Sequence, residues 1–383
     1  MLFSIIIPVY NNERYVENAI DSVLEQEIED YELIIIDDGS TDGTAKILDD
    51  YAALNSKIKV IHQENQWIYA SFNRGIKEAS GEYVYILNSD DLLRKGSLRI
   101  LESIVKKYKP DVIWTKVLAH ICDETQNVIH YDIYQMDKCV QEDRFLASME
   151  EVRKTWPYLE ESSLAHNQAN LYKRDLMLKH PFRNDVYGAD VLFNISVAPD
   201  VCSAYILSES IYDYLIYEKK GMNASVGKYY EYEHSMFNEM CEGYLRLFEQ
   251  WGIEFAEYSY LVKRRVSQIT HEIKMLNNSN LTTEEKLKRI FCVYADEYVL
   301  ECAKRLGIEE ELESRILSGV RELLVQEDLE SNSDMYFVYE LLDSLLCYEK
   351  DVEDYTKIER AVNHSLNPIR VGNIFYKKLQ KNR

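Results

Sequence analysis

The sequence predicts an α/β fold: a mostly parallel sheet with helices on both faces, followed by an all-α C-terminal region. Three observations carry that reading. Short β-branched runs alternate with helical stripes through the N-terminal part of the chain. Polar and acidic residues follow directly after several of those runs. Later the β-branched runs stop, apolar residues recur at helical spacing, and no proline stands between Pro199 and Pro368.

The elements follow in order. "FSIIIPV", Phe3 to Val9, suits a strand buried on both faces. "NNERYVENAIDSVLEQ" places Tyr15, Val16, Ala19, Ile20, Val23 and Leu24 on one helical stripe. "YELIIIDD" is a second buried strand, and "GSTDGTAKILDDYAAL" supplies capping Ser, Thr and Asp before a second helix. "IKVIH" reads as a third strand and "ASFNRGIKEAS" as a helix. "EYVYIL", "GSLRILESIVKKY" and "DVIWTKV" continue the alternation as strand, helix and strand.

From about Lys116 to about Gly227 the pattern is less regular. Strand-like pieces such as "VCSAYILSESIYDYLI" mix with turn signals at Pro181 and Asn184-Asp185, as expected of a second layer in the same domain. "KKGMNASVG", Lys219 to Gly227, marks a boundary, which gives expected domains of 1–227 and 228–383. In the second, Phe237, Met240, Cys241, Tyr244, Phe248 and Trp251 share a helical stripe. Further amphipathic runs cover Phe255 to Met275, Thr283 to Leu306, Glu310 to Val325 and Met335 to Tyr348. The closing "NPIRVGNIFYKKLQKNR" carries five cationic and no acidic side chains among apolar ones. Such a tail suits peripheral contact with an anionic membrane, and equally an ordinary solvated helix or a tail folded onto the acidic body.

Composition narrows the function. At 383 residues two or three domains are expected, and 46% hydrophobic content is ample for a core. A formal net charge of -22 argues against nucleic acid as a partner of the whole chain. The seven cysteines are scattered and never spaced C-x-x-C, so neither a zinc site nor a disulfide framework is expected. That cysteine usage, the lack of a basic n-region, and the lack of any apolar run near the ~18 residues a bilayer demands predict a cytoplasmic protein. The eight histidines form no H-E-x-x-H pair, and no P-loop or dinucleotide fingerprint is present.

In parallel sheets ligands bind at the carboxyl ends of the strands. Tyr10 and Asn11, Asp37 and Asp38, and Asn88 to Asp91 all fall at that edge. The stretch "YVYILNSDDLL" is the most informative, because adjacent carboxylates repel unless a cation lies near them. Two readings stand: a strand end whose Ser89 or Asp90 caps the next helix, or a site for a divalent metal.

The segments "SIIIPVYNNERYVENAIDSVLEQ", "YELIIIDDGSTDGT", "NRGIKEASGEYVYILNSDD" and "YGADVLF" together resemble the family 2 glycosyltransferases of GT-A fold. The resemblance spans roughly the first two hundred residues, and the helical remainder matches no family we can place. It implies a nucleotide-sugar donor, most simply a UDP-sugar, and a hydroxyl acceptor on a glycan, lipid-linked or protein substrate. It implies Mn²⁺ or Mg²⁺, because charge grows on a leaving diphosphate, and it implies inversion.

By the same resemblance Asp90 is the first metal ligand and Asp91 a second ligand or a helix cap. Asn88, where many members carry Asp, and Ser89 accompany them at the donor. Asp38 accepts from the base ring, and Pro8 and Tyr10 lie against base and ribose, although Tyr10 also fits a packed strand-end aromatic. Asp37 closes the turn. Asp190 is the base that takes the acceptor proton, with Ala189 replacing the usual acid; an N-cap role for Asp190 is the plain alternative. Where members carry paired glycines and an arginine, this chain has Gln66, Trp67 and Phe72. Lys219 and Lys220 are candidate substitute cations, with plain surface lysines as the default reading; His234 stands in roughly the part of the chain where some relatives place an extra metal ligand, and a surface or helix-packing role is the plainer reading.

Two other readings remain. A sugar nucleotidyltransferase would need a glycine-rich loop where "PVYNNER" has none. A degenerate member that binds a nucleotide sugar, or scaffolds a partner enzyme, is kept open by Asn88, Ala189 and Phe72. The helical region suits a partner or a second copy of the chain.

Overall fold

The computed structural model describes residues 1–123, 127–132, 140, 142–162, 168–217, 228–294 and 296–326. Lys219 to Gly227, the run from Met335 to Tyr348 and the basic tail lie outside the described residues. The chain divides into two compact units: Met1–Ala224 with Arg246–Glu257, and Ser225–Leu245 with Tyr258–Arg383.

The first unit alternates as expected through β1 (Phe3–Val9), α1 (Val16–Leu24), β2 (Tyr31–Asp37), α2 (Thr44–Leu54), β3 (Ile58–His62), α3 (Ile68–Glu78) and β4 (Tyr83–Ile86). A two-residue β5 (Leu92–Leu93) precedes α4 (Ser97–Tyr108) and the long β6 (Val112–Cys122). Then come β7 (Val128–Asp132), β8 (Arg144–Leu146), α5 (Met149–Glu161), β9 (Leu171–Lys173), α6 (Arg174–Lys179), α7 (Ala189–Val197) and β10 (Ala204–Tyr217). The sheet runs β3-β2-β1-β4-β9-β6-β10-β5, with β7 on β6 and β8 on β10. Pairings among β1, β2, β3 and β4 are parallel, as is β6 with β10; the short β9 is antiparallel to both β4 and β6.

Burial explains the strand sequences. All seven residues of β1 are buried, which is why that run does not alternate. Gly75 lets α3 lie directly on the strand: a Cβ there would come within 2.5 Å of Ile6 Cγ2. After β3 the chain crosses back to lay β4 on the free side of β1, so the strand order reverses between β1 and β4. Open α/β sheets bind ligands at such reversals.

Pro8 lies at that reversal. The pairing of β1 with β4 ends at Ile6, whose carbonyl takes a last bond from the Leu87 N–H at 3.0 Å. Pro8, which has no N–H to donate, stands beyond that point and keeps register only with Ile36 of β2.

In the second unit the expected run from Thr283 to Leu306 is two helices, α10 (Thr283–Tyr294) and α11 (Glu297–Leu306). Asp296 caps the second by accepting from the Val299 N–H at 2.9 Å. They lie between α9 (Phe255–Asn277) and α12 (Glu309–Gln326) in the chain, and α8 (Glu233–Gln250) precedes α9. Arg265 on α9 is fully buried and donates to Glu272 Oε1 at 2.6 Å and to Asn238 Oδ1 at 2.7 Å. His234 bridges Glu272 Oε2 at 2.7 Å and Asp296 Oδ2 at 3.2 Å, so its ring belongs to this polar core. Among the described residues no helix is long and apolar enough to cross a membrane.

Candidate active site

The end of β4 and the turn after β1 build the site together. Asn12 is buried, donates its backbone N–H to Thr44 Oγ1 at 2.9 Å, and donates its side-chain amide to Ser89 Oγ at 2.9 Å. One side chain thus joins the carboxyl ends of β1 and β4. Asn11 adopts a left-handed backbone, with φ of 49°, and its Oδ1 accepts the Thr41 N–H at 2.7 Å. That bond joins the ends of β1 and β2.

Asp91 is committed to the fold. It is fully buried; its Oδ2 accepts from the Tyr212 hydroxyl at 2.6 Å and the Asn88 amide at 3.1 Å, and its Oδ1 accepts from the Leu215 N–H at 2.9 Å. The helix-cap expectation fails for the whole "NSDD" stretch, because β5 follows it and α4 starts only after Gly96. Asp90 is partly buried, and its carbonyl accepts from the Tyr217 hydroxyl at 3.3 Å. Tyr217 stacks on Tyr15 with ring centroids 4.5 Å apart. Burial pushes the Asp90 carboxyl up, and burial with the neighbouring Asp90 charge pushes Asp91 up further.

Asp38 is held by the segment after β3. It is buried and accepts from the Gln63 amide (2.7 Å) and the Gln66 N–H (3.0 Å) on Oδ1, and from the Trp67 N–H (2.9 Å) on Oδ2. Asp37 closes the turn, accepting from Ser40 N–H at 3.0 Å and meeting His62 Nδ1 at 2.7 Å. Tyr10 is 51% exposed, so a packed strand-end role does not describe it.

Phe72, standing where an arginine was looked for, is fully buried. It belongs to an aromatic cluster in which its ring meets Phe182 at 5.4 Å and Phe182 stacks on Phe193 of α7 at 4.3 Å. The same region links α3 to the approach of α7, since the Tyr69 hydroxyl donates to the Tyr187 carbonyl at 2.6 Å. Gly188 holds the N-cap position of α7, and Asp190 sits in its first turn with Oδ1 accepting from the Val191 N–H at 2.9 Å. Lys219 and Lys220 lie outside the described residues.

Residues 4–176 match the profile described as "Glycosyl transferase family 2". Residues 4–176 are thus the part of the chain that carries a family 2 glycosyltransferase domain. The glycosyltransferase GlyG of Streptococcus pneumoniae serotype 4 is 29% identical over 184 residues, 48% of this chain and 60% of that protein. The uncharacterized glycosyltransferase EpsJ of Bacillus subtilis is 28% identical over 223 residues, 56% of this chain and 60% of its own length. The chain therefore spans less than two thirds of these relatives.

Among solved structures, S. aureus TarS 1-349 in complex with UDP superposes with a TM-score of 0.58 at 18% identity, covering 86% of this chain and 92% of that one. The same TarS fragment in complex with UDP-GlcNAc gives 0.56 at 18% identity, covering 81% and 91%. The likeness establishes a common fold, and the mixed sheet of the glycosyltransferase domain is the GT-A arrangement.

Sequence patterns alone did not single out Asn12, Tyr212 or Tyr217. Asn12 carries a weak signal as the second of two asparagines after a strand. The two tyrosines carry none, because they stand more than a hundred residues from the aspartates they touch.

Proposed function

We propose that this chain transfers a sugar from a uridine diphosphate sugar to a hydroxyl acceptor. The observation that carries the proposal is the reversal of strand order between β1 and β4, where the Asn12 amide donates to Ser89 Oγ in the middle of the run Asn88 to Asp90. The donor choice draws support from the TarS complexes, named for UDP and UDP-GlcNAc. It also draws support from Asp38. Three of the roughly four acceptor positions of that carboxylate are filled by its own chain. One position suits a base with a single ring N–H, such as uracil. Guanine presents two adjacent N–H groups and would need both oxygens.

The residues fit Mn²⁺ or Mg²⁺. The Oδ1 atoms of Asn12 and Asn88 are buried without a hydrogen-bond donor, and Asp90 supplies a carboxylate two residues after Asn88. Hard divalent cations favour such oxygens and are commonly held by one or two carboxylates plus substrate phosphates. Asp90 would hold the cation, while Asp91, its oxygens already engaged, positions the loop. When bound, the cation neutralises charge growing on the diphosphate.

Asp190 takes the proton of the acceptor hydroxyl as that oxygen attacks from the face opposite the diphosphate, which inverts the anomeric centre. The acceptor is a glycan, a lipid-linked sugar or a protein. The buried Phe72 favours one second reading, a binding protein without turnover, since it leaves a position without its cation.

Release of UDP from a panel of UDP-sugars with Mn²⁺ tests the proposal. The wild type should release UDP slowly in the absence of acceptor, and Asp90→Ala should stop it while remaining folded. Binding without release in both forms would select the second reading. No shift in melting temperature with any uridine nucleotide would remove both.

A further inference from the structure

Trp67 combines two features that the proposed chemistry leaves unused. Its backbone, at φ 76° and ψ 162°, occupies a region that is essentially reserved for glycine. As a residue Trp67 is 51% exposed, whereas Trp114 and Trp156 are fully buried. The strained backbone is held in place by Asp38, whose Oδ2 accepts the Trp67 N–H at 2.9 Å. Strain of this kind persists where the surroundings over-determine it, as at ligand clamps.

Tyr10 supplies a second aromatic ring, also 51% exposed. It is tied to the same aspartate, because the Asp38 N–H donates to the carbonyl of the preceding Val9 at 2.9 Å. Two half-exposed aromatic residues are thus tied through the backbone to one buried aspartate, three of whose roughly four acceptor positions are filled by its own chain. A planar heteroaromatic ring with one N–H answers all three groups: its edge meets Asp38 and its faces meet aromatic surface.

We infer that the Trp67 indole is a stacking surface for the nucleobase of the donor. This rests on the nucleotide-sugar reading and extends it: Asp38 decides which base is accepted, and Trp67 sets how tightly it is held. Stacking needs only a π-face, so its loss weakens uridine nucleotides without relaxing the choice of base.

Calorimetric titration of UDP, with Mn²⁺ present, separates the possibilities across wild type, Trp67→Ala, Trp67→Phe and Trp67→Gly. Trp67→Ala should weaken UDP about 5- to 100-fold, and Trp67→Phe should keep most of the affinity. Inorganic pyrophosphate, which lacks a base, should bind wild type and Trp67→Ala alike. Trp67→Gly should bind UDP as weakly as Trp67→Ala yet melt at least as high, because glycine adopts this backbone without strain. In wild type, UDP should also shield tryptophan fluorescence from acrylamide, a readout that needs no variant.

Wild-type affinity for UDP in Trp67→Ala, or no shielding of the wild type by bound UDP, would overturn the inference and leave the donor reading standing. A wild type that binds no uridine nucleotide would overturn both.

Discussion

The Tyr212 hydroxyl donates to Asp91 Oδ2 at 2.6 Å, joining β10 to the end of β4 across 121 positions of sequence. Through this bond the loop that carries Asp90 is fixed by a strand laid down much later in the chain. On the proposed reading the two adjacent aspartates divide the work: Asp91 holds the loop, and Asp90 serves the donor.

That division predicts opposite phenotypes. Asp91→Ala removes the acceptor of three buried donors and should lower stability by on the order of 3 kcal/mol. Asp90→Ala relieves crowding between carboxyls and should leave stability equal or higher while UDP release disappears. Urea melts and a UDP-release assay on both variants check this; comparable destabilisation by the two would refute the division.

Tyr212→Phe deletes one donor and keeps the ring. Stability should fall by about 1 to 3 kcal/mol, the usual range when a buried partner is left unsatisfied. Release of UDP should fall with it, because the Asp90 loop loses an anchor. An unchanged urea midpoint would show that the bond does not hold the loop.

His62 makes stability depend on pH. Its hydrogen bond to Asp37, with further help from Asp49, raises the imidazole above its ordinary value. A raised histidine contributes stability that is fully present below the unfolded value of 6.5 and lost as pH climbs through the folded value. The melting temperature of wild type should therefore exceed that of His62→Gln in mildly acidic buffer, and the gap should close in alkaline buffer. A gap independent of pH would mean that the charge plays no part.

Arg265 offers a test confined to the helical unit. Arg265→Met leaves Glu272 buried beside one fewer cation and should cost about 3 to 5 kcal/mol. Replacing both partners, as Arg265→Met with Glu272→Leu, should recover much of that loss. Loss of helical circular dichroism in urea reports the effect, and a double variant worse than the single one would argue against the ion pair.

Much of this was legible before any coordinates. β1, β2 and β4 could be read because strands buried on both faces are written as near-continuous apolar runs rich in isoleucine, valine and aromatic residues. Asp38 and Asp90 could be placed at strand ends because the polar residues follow directly on the apolar runs of β2 and β4. The short pieces were not legible: β5 has two residues and β9 has three, too few for any period to show. The break between α10 and α11 hid inside a continuous amphipathic run, where a single capping aspartate interrupts the helix without disturbing the apolar stripe.

By itself the sequence determined the alternating α/β plan, the helices described between residues 233 and 326, and the acidic residues at the strand ends. These are local properties, set by side-chain period and by residue type at the end of each run. Only the tertiary structure decided what each group does. It turned Asp91 into an anchor by bringing Tyr212 and Leu215 to it, buried Phe72 against Phe182, and bent the Trp67 backbone onto Asp38. Those roles depend on partners far apart in sequence, and a pattern read along the chain holds no record of which distant atoms will meet.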